Sequence, residues 1–134
     1  CLGSVAGLVR HTVDRLREQG MAAGMLRIRY LRPFASRDLA LTLAHTRAVG
    51  VLEKDVSFGA EGTVFTNVNS ALFQQDAHVP TCNFIGGLGG TDITADQVAG
   101  AFKTLTFAAG GAAERVQFLG INSMADTFGS KKGR

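Results

Sequence analysis

Segments whose apolar residues recur at helical spacing alternate along the chain with short apolar or alternating runs that are typical of strands. The predicted helices cover residues 4–18, 36–45, 63–75 and 94–109. The predicted strands cover residues 25–31, 48–53, 79–85 and 116–121. Strands that alternate with helices in this way predict an α/β fold of three layers, in which a mainly parallel open sheet carries helices on both faces.

The two ends of the chain set the expected extent of this domain. Ser4 stands where it would cap the first helix, and in this fold class a strand of about five residues should precede such a helix. Only Cys1 and Leu2 of that strand are present, so we expect a truncated first strand and an excerpt of a longer polypeptide. The domain is expected to cover residues 1–121, N-terminally incomplete, and residues 122–134 to form a loose basic tail.

The composition of the chain is that of a folded domain without a membrane or nucleic-acid partner. The chain has 134 residues with 46% hydrophobic and 19% charged, which fits one folded domain. The apolar runs are far shorter than the roughly 20 residues of a membrane-spanning helix, so no membrane partner is expected. The net charge is +3, and the tail residues Lys131, Lys132 and Arg134 account for all of it. The folded part of the chain is therefore close to neutral, which argues against a nucleic-acid partner. Cys1 and Cys82 are expected to be reduced thiols of a cytoplasmic protein.

A glycine-rich turn follows the strand predicted over residues 79–85 and precedes a helix that begins with the capping-box pair Thr94 and Gln97. Open α/β sheets bind anions at this place, so the turn is the one candidate cofactor-binding segment of the chain. Its residues are Gly86, Gly87, Leu88, Gly89 and Gly90. Asp92 replaces the third glycine of a dinucleotide motif, and the alternative is that the glycines only let another backbone segment pass close by.

Other reactive side chains form no recognisable catalytic or metal-binding motif. His11, His45 and His78 are scattered and are read as surface residues, so no metal ligands are assigned. The sequence around Ser4 differs from the G-x-S-x-G elbow of a nucleophilic serine. Three carboxylates follow or surround a predicted loop, where they are either acid-base groups or simply solvated; they are Glu53, Asp55 and Glu61.

Arg27, Arg29 and Arg32 are the most distinctive charged feature. The first two share one face of a predicted strand, and the third follows the strand into a turn. Guanidinium groups in this position either meet carboxylates or phosphates of a partner, or protect an exposed sheet edge from aggregation. Both interpretations remain open from the sequence.

Three motifs together resemble a known family. They are Arg32-Pro33-Phe34, then Ser57-Phe58-Gly59 with Gly62, then the run from Asn83 to Gly90 with Asp92. Over about residues 1–122 the chain resembles the alpha chain of pyruvate:ferredoxin oxidoreductase and related 2-oxoacid:ferredoxin oxidoreductases. The resemblance implies the domain that follows the pyrimidine-binding domain for thiamine diphosphate, a domain similar in fold to the C-terminal domain of transketolase.

This resemblance implies an enzyme that oxidatively decarboxylates pyruvate or a related 2-oxoacid to acyl-CoA and passes electrons to ferredoxin or flavodoxin. The complete enzyme would use thiamine diphosphate with Mg²⁺, 4Fe-4S clusters and coenzyme A, and this chain alone is expected to hold none of them. No catalytic residue is carried over. The other domains or subunits of the enzyme are the expected partners in an oligomer, and the isolated chain is expected to be inactive.

From the resemblance we expect loop geometry and domain docking for Ser57, Phe58, Gly59, Gly62 and residues 86–90, and Asp92 is placed in the same group. Arg27, Arg29 and Arg32 are interface candidates from their own charge pattern. The sequence departs from the family pattern at Ala35, Thr63 and Thr91, where the family often has Pro, Pro and Arg. The alternative from a different class is an independent α/β module that binds a small anion or nucleotide at residues 86–90.

Overall fold

The computed structural model describes residues 1–120. The helices are α1 (Val5–Glu18), α2 (Ser36–Leu43), α3 (Thr63–Gln74) and α4 (Ala95–Ala108). The strands are β1 (Val49–Glu53), β2 (Thr81–Ile85) and β3 (Val116–Phe118), and a short 3-10 helix covers Leu88–Gly90. The sequence therefore predicted these helices correctly to within about two residues at each end, as is usual for helix boundaries.

The strands form a parallel sheet in the order β1-β2-β3. The register pairs Val51 with Asn83 and Glu53 with Ile85 across β1 and β2. In a parallel sheet the carboxyl ends of all strands lie at one edge, so the loops that follow β1 and β2 leave the domain side by side.

Helices cover both faces of this sheet, which confirms the predicted three-layer class. One face packs Val9 and Val13 of α1 and Val98 of α4 against Leu52 and Phe84 of the sheet. The other face packs α2 and α3 against Val49 and Val51 of β1. Consecutive residues of β1 thus point to opposite layers, because side chains alternate across a strand.

The strand predicted over residues 25–31 is not present as a regular strand. Within this segment only Ile28 has a ladder partner, in an isolated parallel bridge to Leu2. Leu26 and Ile28 do pack against the core on the α2–α3 side, as the alternation predicted, but Tyr30 is 76% exposed rather than inward-facing. The predicted strand of seven residues is thus reduced to one bridged residue, because a regular strand needs a neighbour to pair with over its whole length.

The two helix starts with predicted caps behave differently. Thr94 Oγ1 accepts a hydrogen bond from the Gln97 N–H, and the Gln97 side chain accepts one from the Thr94 N–H, so the predicted capping box is confirmed. Ser4 directly precedes α1 but its hydroxyl makes no capping hydrogen bond, because its backbone is already helical (φ −68°, ψ −28°). The predicted Ser4 cap is therefore wrong.

Two further expectations concern the end of the chain and the membrane. Ile121, the predicted end of the last strand, and the predicted tail of residues 122–134 lie outside the described residues. Among residues 1–120 no helix has the length and apolar character that crossing a bilayer requires.

Candidate functional site

The candidate site is the carboxyl edge of the sheet, where the loop of residues 54–62 after β1 meets the glycine turn after β2. Lys54 lies across the turn so closely that a Cβ on Gly87 would lie 2.9 Å from its Cε atom. Gly87 also has a left-handed backbone (φ 74°), a conformation that disfavours other residues. The expected close passage of another backbone segment is not what the structure shows: the nearest neighbour of Gly87 is the Lys54 side chain, and a Cβ on Gly89 or Gly90 would meet nothing within 4 Å.

Glu53, the last residue of β1, is buried beneath this edge and holds the beginning of α3. Its carboxylate accepts hydrogen bonds from the N–H groups of Val64, at 2.8 Å, and Phe65, at 3.1 Å. These amides belong to the first turn of α3, where N–H groups have no partner within the helix and where a negative charge is stabilised by the helix dipole. Of the two interpretations of Glu53, the solvated one is wrong, because the residue is 4% exposed; its carboxylate caps the helix from a neighbouring strand.

Asn83 of β2 completes this buried polar cluster. Its amide nitrogen donates to Glu53 Oε1 at 2.8 Å and to the Val51 carbonyl at 3.2 Å. Its oxygen accepts from the N–H of Gly62 at 2.7 Å. Asn83 therefore fixes both the carboxylate and the end of the loop, and its own polar atoms are satisfied although the residue is fully buried.

Gly62 is required by this arrangement for a steric reason. A Cβ at this position would overlap the Glu53 carboxyl group. The glycine of the family motif therefore leaves room for the carboxylate that caps α3, rather than supplying an unusual backbone angle, since its φ is −76°.

The loop between β1 and Gly62 is closed by its own backbone and presents Phe58 at its tip. Ser57 N–H donates to the Glu61 carbonyl at 2.8 Å, and Ala60 N–H donates to the Ser57 carbonyl at 3.0 Å. Phe58 lies in this closed turn with a left-handed backbone (φ 48°), and its side chain is fully exposed. The closed loop therefore holds one aromatic ring in solvent at its tip.

The two other carboxylates of the loop also have structural partners. The Thr63 hydroxyl and N–H donate to Asp55, and these hydrogen bonds lower the pKa of the Asp55 carboxyl below its ordinary value. Glu61 accepts from the Thr66 hydroxyl at 2.8 Å and forms an ion pair of 3.1 Å with Arg115. The Arg115 guanidinium lies over the Phe65 ring, 5.2 Å from its centroid. These contacts connect the loop to α3 and to the residues just before β3.

The glycine turn offers little for an anion. The first turn of α4 is already served by the Thr94–Gln97 capping box, and the acidic residue Asp96 lies in it. Asp92 is exposed on the connection between the turn and the helix, and Thr91 donates its hydroxyl hydrogen to the Leu88 carbonyl. Lys54 is the nearby positive charge. Anion binding at Gly86–Gly90 stays a prediction that these contacts do not strengthen.

The remaining candidates lie apart from this edge or on the surface. Arg27, Arg29 and Arg32 are exposed, and none of them forms an ion pair within residues 1–120. The three histidines are exposed, as expected. In the described part of the chain no three His, Cys, Asp or Glu side chains come together as a metal site. Cys82 is buried, and burial raises the pKa of its thiol.

Sequence reasoning missed the Glu53–Asn83 pair, which is the centre of the site. Both residues were visible as polar residues inside or at the end of predicted buried strands. A polar side chain in such a strand requires a hydrogen-bond partner, so two of them on neighbouring parallel strands are a signal for a buried pair.

These features define an α/β domain whose carboxyl edge carries a closed loop with an exposed aromatic residue over a buried polar cluster. The sequence profile described as pyruvate:ferredoxin oxidoreductase core domain II matches residues 1–98. The chain belongs to this family, as the resemblance of its motifs predicted. The transketolase C-terminal-like architecture inferred from that resemblance fits the domain.

Several curated proteins are similar to the chain. It is 37% identical over 97 residues to the ketoisovalerate oxidoreductase subunit VorA of Pyrococcus furiosus, which covers 72% of the chain and 25% of the relative. It is 38% identical over 102 residues to the pyruvate synthase subunit PorA of Thermotoga maritima, covering 76% and 26%. For PorA of Methanosarcina barkeri the identity is 35% over 99 residues, covering 73% and 25%. The chain thus spans about a quarter of the length of these relatives.

Proposed function

We propose that this chain is an assembly domain of a thiamine diphosphate-dependent 2-oxoacid:ferredoxin oxidoreductase. In the proposed reaction of the complete enzyme, a 2-oxoacid and coenzyme A yield acyl-CoA and carbon dioxide, and two electrons pass one at a time to ferredoxin or flavodoxin. Relatives named for pyruvate and for ketoisovalerate support a 2-oxoacid substrate, and pyruvate is our first choice.

The described residues at the carboxyl edge do not suit the iron-sulfur clusters or the Mg²⁺ ion of this reaction. A 4Fe-4S cluster takes four thiolates, whereas the chain has two cysteines, one of them buried in the core. A Mg²⁺ ion needs free carboxylates, but Glu53 is engaged by α3 and Asp55 by Thr63. We therefore assign the cofactors to other domains or subunits and derive no catalytic step from this chain.

The observation that carries the assembly role is Phe58. Its ring is fully exposed, yet its backbone is fixed by the Ser57–Glu61 pairing and by the cluster beneath it. A partner that covers this ring gains its apolar contact area without the entropy loss of ordering a flexible loop. Docking of the carboxyl edge onto a neighbouring domain or subunit is the role that this geometry supports best.

The test compares two exposed phenylalanines in the complete enzyme. Phe58→Ala should weaken assembly by about 30-fold or more, as for an interface hot spot, and should lower 2-oxoacid-dependent ferredoxin reduction in proportion. Phe73→Ala is the matched control, because Phe73 is 85% exposed on α3, outside the loop. Equal effects of the two variants, or no effect of Phe58→Ala on assembly, would contradict the docking role.

The isolated chain tests the alternative. Titration with nucleotides and with coenzyme A should give no binding and no turnover of pyruvate. Tight one-to-one binding that Lys54→Ala abolishes would instead favour the independent module that binds an anion at Gly86–Gly90.

A further inference from the structure

Glu61 closes the loop of residues 54–62, which we call the 54–62 loop, with its backbone and anchors it with its side chain. Its carbonyl accepts a hydrogen bond from the Ser57 N–H at 2.8 Å, which closes the turn at the tip of the loop. Its carboxylate accepts from the Thr66 hydroxyl on α3 at 2.8 Å and pairs with the Arg115 guanidinium at 3.1 Å. The position of the Glu61 side chain therefore affects the turn, because one residue supplies both contacts.

Arg115 reaches Glu61 from a fixed backbone. It lies just before β3, and its carbonyl accepts from the Asn83 N–H of β2 at 2.7 Å. Its guanidinium lies over the ring of the fully buried Phe65, 5.2 Å from the ring centroid. A guanidinium group stacked on an aromatic ring is restricted in orientation, so less entropy is lost when it pairs with a carboxylate. Arg115 thus connects the buried Asn83 to the exposed loop.

The other polar contacts hold the two ends of the 54–62 loop. Near its beginning Asp55 accepts from the Thr63 N–H, and at its end the Gly62 N–H donates to Asn83. Within residues 56–61, all of which the structure describes, only the side chain of Glu61 takes part in a hydrogen bond or an ion pair. The contact with Arg115 therefore acts on the part of the loop that carries the turn.

We propose that Arg115 is a positioning residue of the 54–62 loop. Through Glu61 it keeps the turn closed, and so it holds the Phe58 ring in the orientation in which a partner can cover it. This inference rests on the docking role proposed for Phe58. The family profile matches residues 1–98, which contain the loop but not Arg115, so the role is not carried over from the family.

The contact is placed to affect the loop more than the stability of the fold. The side chains of Arg115 and Glu61 are 62% and 25% exposed, and ion pairs with this exposure contribute little to overall stability. A short turn with its tip in solvent can open locally while the sheet and the helices stay folded. A partner binds only the closed fraction of the loop, so its apparent affinity falls in proportion to that fraction.

The first measurement follows the loop in the full chain by amide hydrogen exchange at Ser57, whose N–H is bonded to the Glu61 carbonyl. Arg115→Met removes the charge and keeps an unbranched side chain near Phe65. We expect exchange at Ser57 to become at least about threefold faster, while the thermal midpoint moves by no more than about 4 °C. Arg10→Met is the matched control, because Arg10 is exposed on α1 and forms no ion pair within residues 1–120, and it should leave this exchange unchanged.

Two further variants separate positioning from a general structural role. Arg115→Lys keeps the positive charge and should restore part of the protection at Ser57, although it lacks the planar guanidinium. Glu61→Gln keeps an oxygen that can accept from Thr66 but removes the negative charge. Its effect should not add to that of Arg115→Met, because both variants remove the same ion pair.

Salt tests the same contact without any substitution. Raising the ionic strength from about 0.1 M to about 1 M should speed exchange at Ser57 in the parent, since salt screens the ion pair. The same change should have no further effect in Arg115→Met. In the complete enzyme Arg115→Met should weaken assembly about threefold, which corresponds to a loop that is closed about one third of the time.

Three results would overturn the positioning role. They are equal exchange at Ser57 in Arg115→Met and Arg10→Met, additive effects of the Arg115 and Glu61 variants, and exchange in the parent that does not respond to salt. If Phe58→Ala weakens assembly and Arg115→Met does not, the docking role stands and only the positioning role fails. If Phe58→Ala leaves assembly unchanged, the docking role fails, and the positioning role fails with it.

Discussion

Glu53 Oε1, on the last residue of β1, accepts a hydrogen bond of 2.8 Å from the side-chain amide of Asn83 in the middle of β2. The pair connects two neighbouring strands beneath the loop that carries Phe58. Because Glu53 also binds the first amides of α3, one buried polar cluster fixes the strand ends, the helix and the end of the loop of residues 54–62. Substitutions that remove these contacts should therefore lower the free energy of unfolding.

Asn83→Ala should lower the free energy of unfolding by about 3 kcal/mol, because it leaves the Gly62 N–H unpaired and removes a donor from a buried carboxylate. Urea unfolding at neutral pH measures the effect. Asn67→Ala is the control, since Asn67 makes one surface hydrogen bond to the Thr63 carbonyl, and its loss should stay below about 1 kcal/mol. Similar losses in both variants would contradict the importance of the cluster.

Gly62→Ala should destabilise the protein by about 2 kcal/mol or more, because the new methyl group overlaps the Glu53 carboxyl group and displaces it from α3. Gly100→Ala is the matched control on the exposed side of α4, where a Cβ meets nothing within 4 Å. That change should stabilise the protein by about 0.5–1 kcal/mol through helix propensity. Opposite signs in thermal or urea unfolding are the expected result, and a neutral Gly62→Ala would exclude the overlap.

Thr94→Ala should cost about 1 kcal/mol of unfolding free energy, because the capping box at the beginning of α4 is lost. Ser4→Ala makes the equivalent change at α1 but should alter stability by less than about 0.5 kcal/mol, because the Ser4 hydroxyl caps nothing. Equal losses would mean that Ser4 does cap α1 in solution.

Cys82 should make the protein less stable in alkali. Burial raises the pKa of the folded thiol above its ordinary value of about 8.5, so its contribution is complete below that pH and is lost as the pH rises through the folded pKa. Unfolding free energies measured from pH 8 to 10 should fall less steeply in Cys82→Ala than in the parent. Cys1→Ala should keep the steeper fall, and identical slopes in all three proteins would contradict the burial effect.

The sequence determined most of the secondary structure. The helical spacing of Val5, Val9 and Val13 and the uninterrupted apolar run of β1 placed those elements correctly, because periodicity reports which side of an element is buried. The capping box of α4 was also visible, since its two residues interact within one turn. The strand predicted over residues 25–31 failed because pairing depends on a neighbour that local sequence does not specify.

The site itself was decided by the tertiary structure. The sequence identifies Phe58 and Gly62 through a motif, but it leaves Glu53 as an acid-base group or a solvated residue. It shows Asn83 only as the first residue of a glycine motif. Their roles depend on the register that brings the ends of β1 and β2 together, more than 20 residues apart in the chain. Local periodicity fixes which residues are buried, whereas the partner of a buried polar group is fixed only when the strands pair.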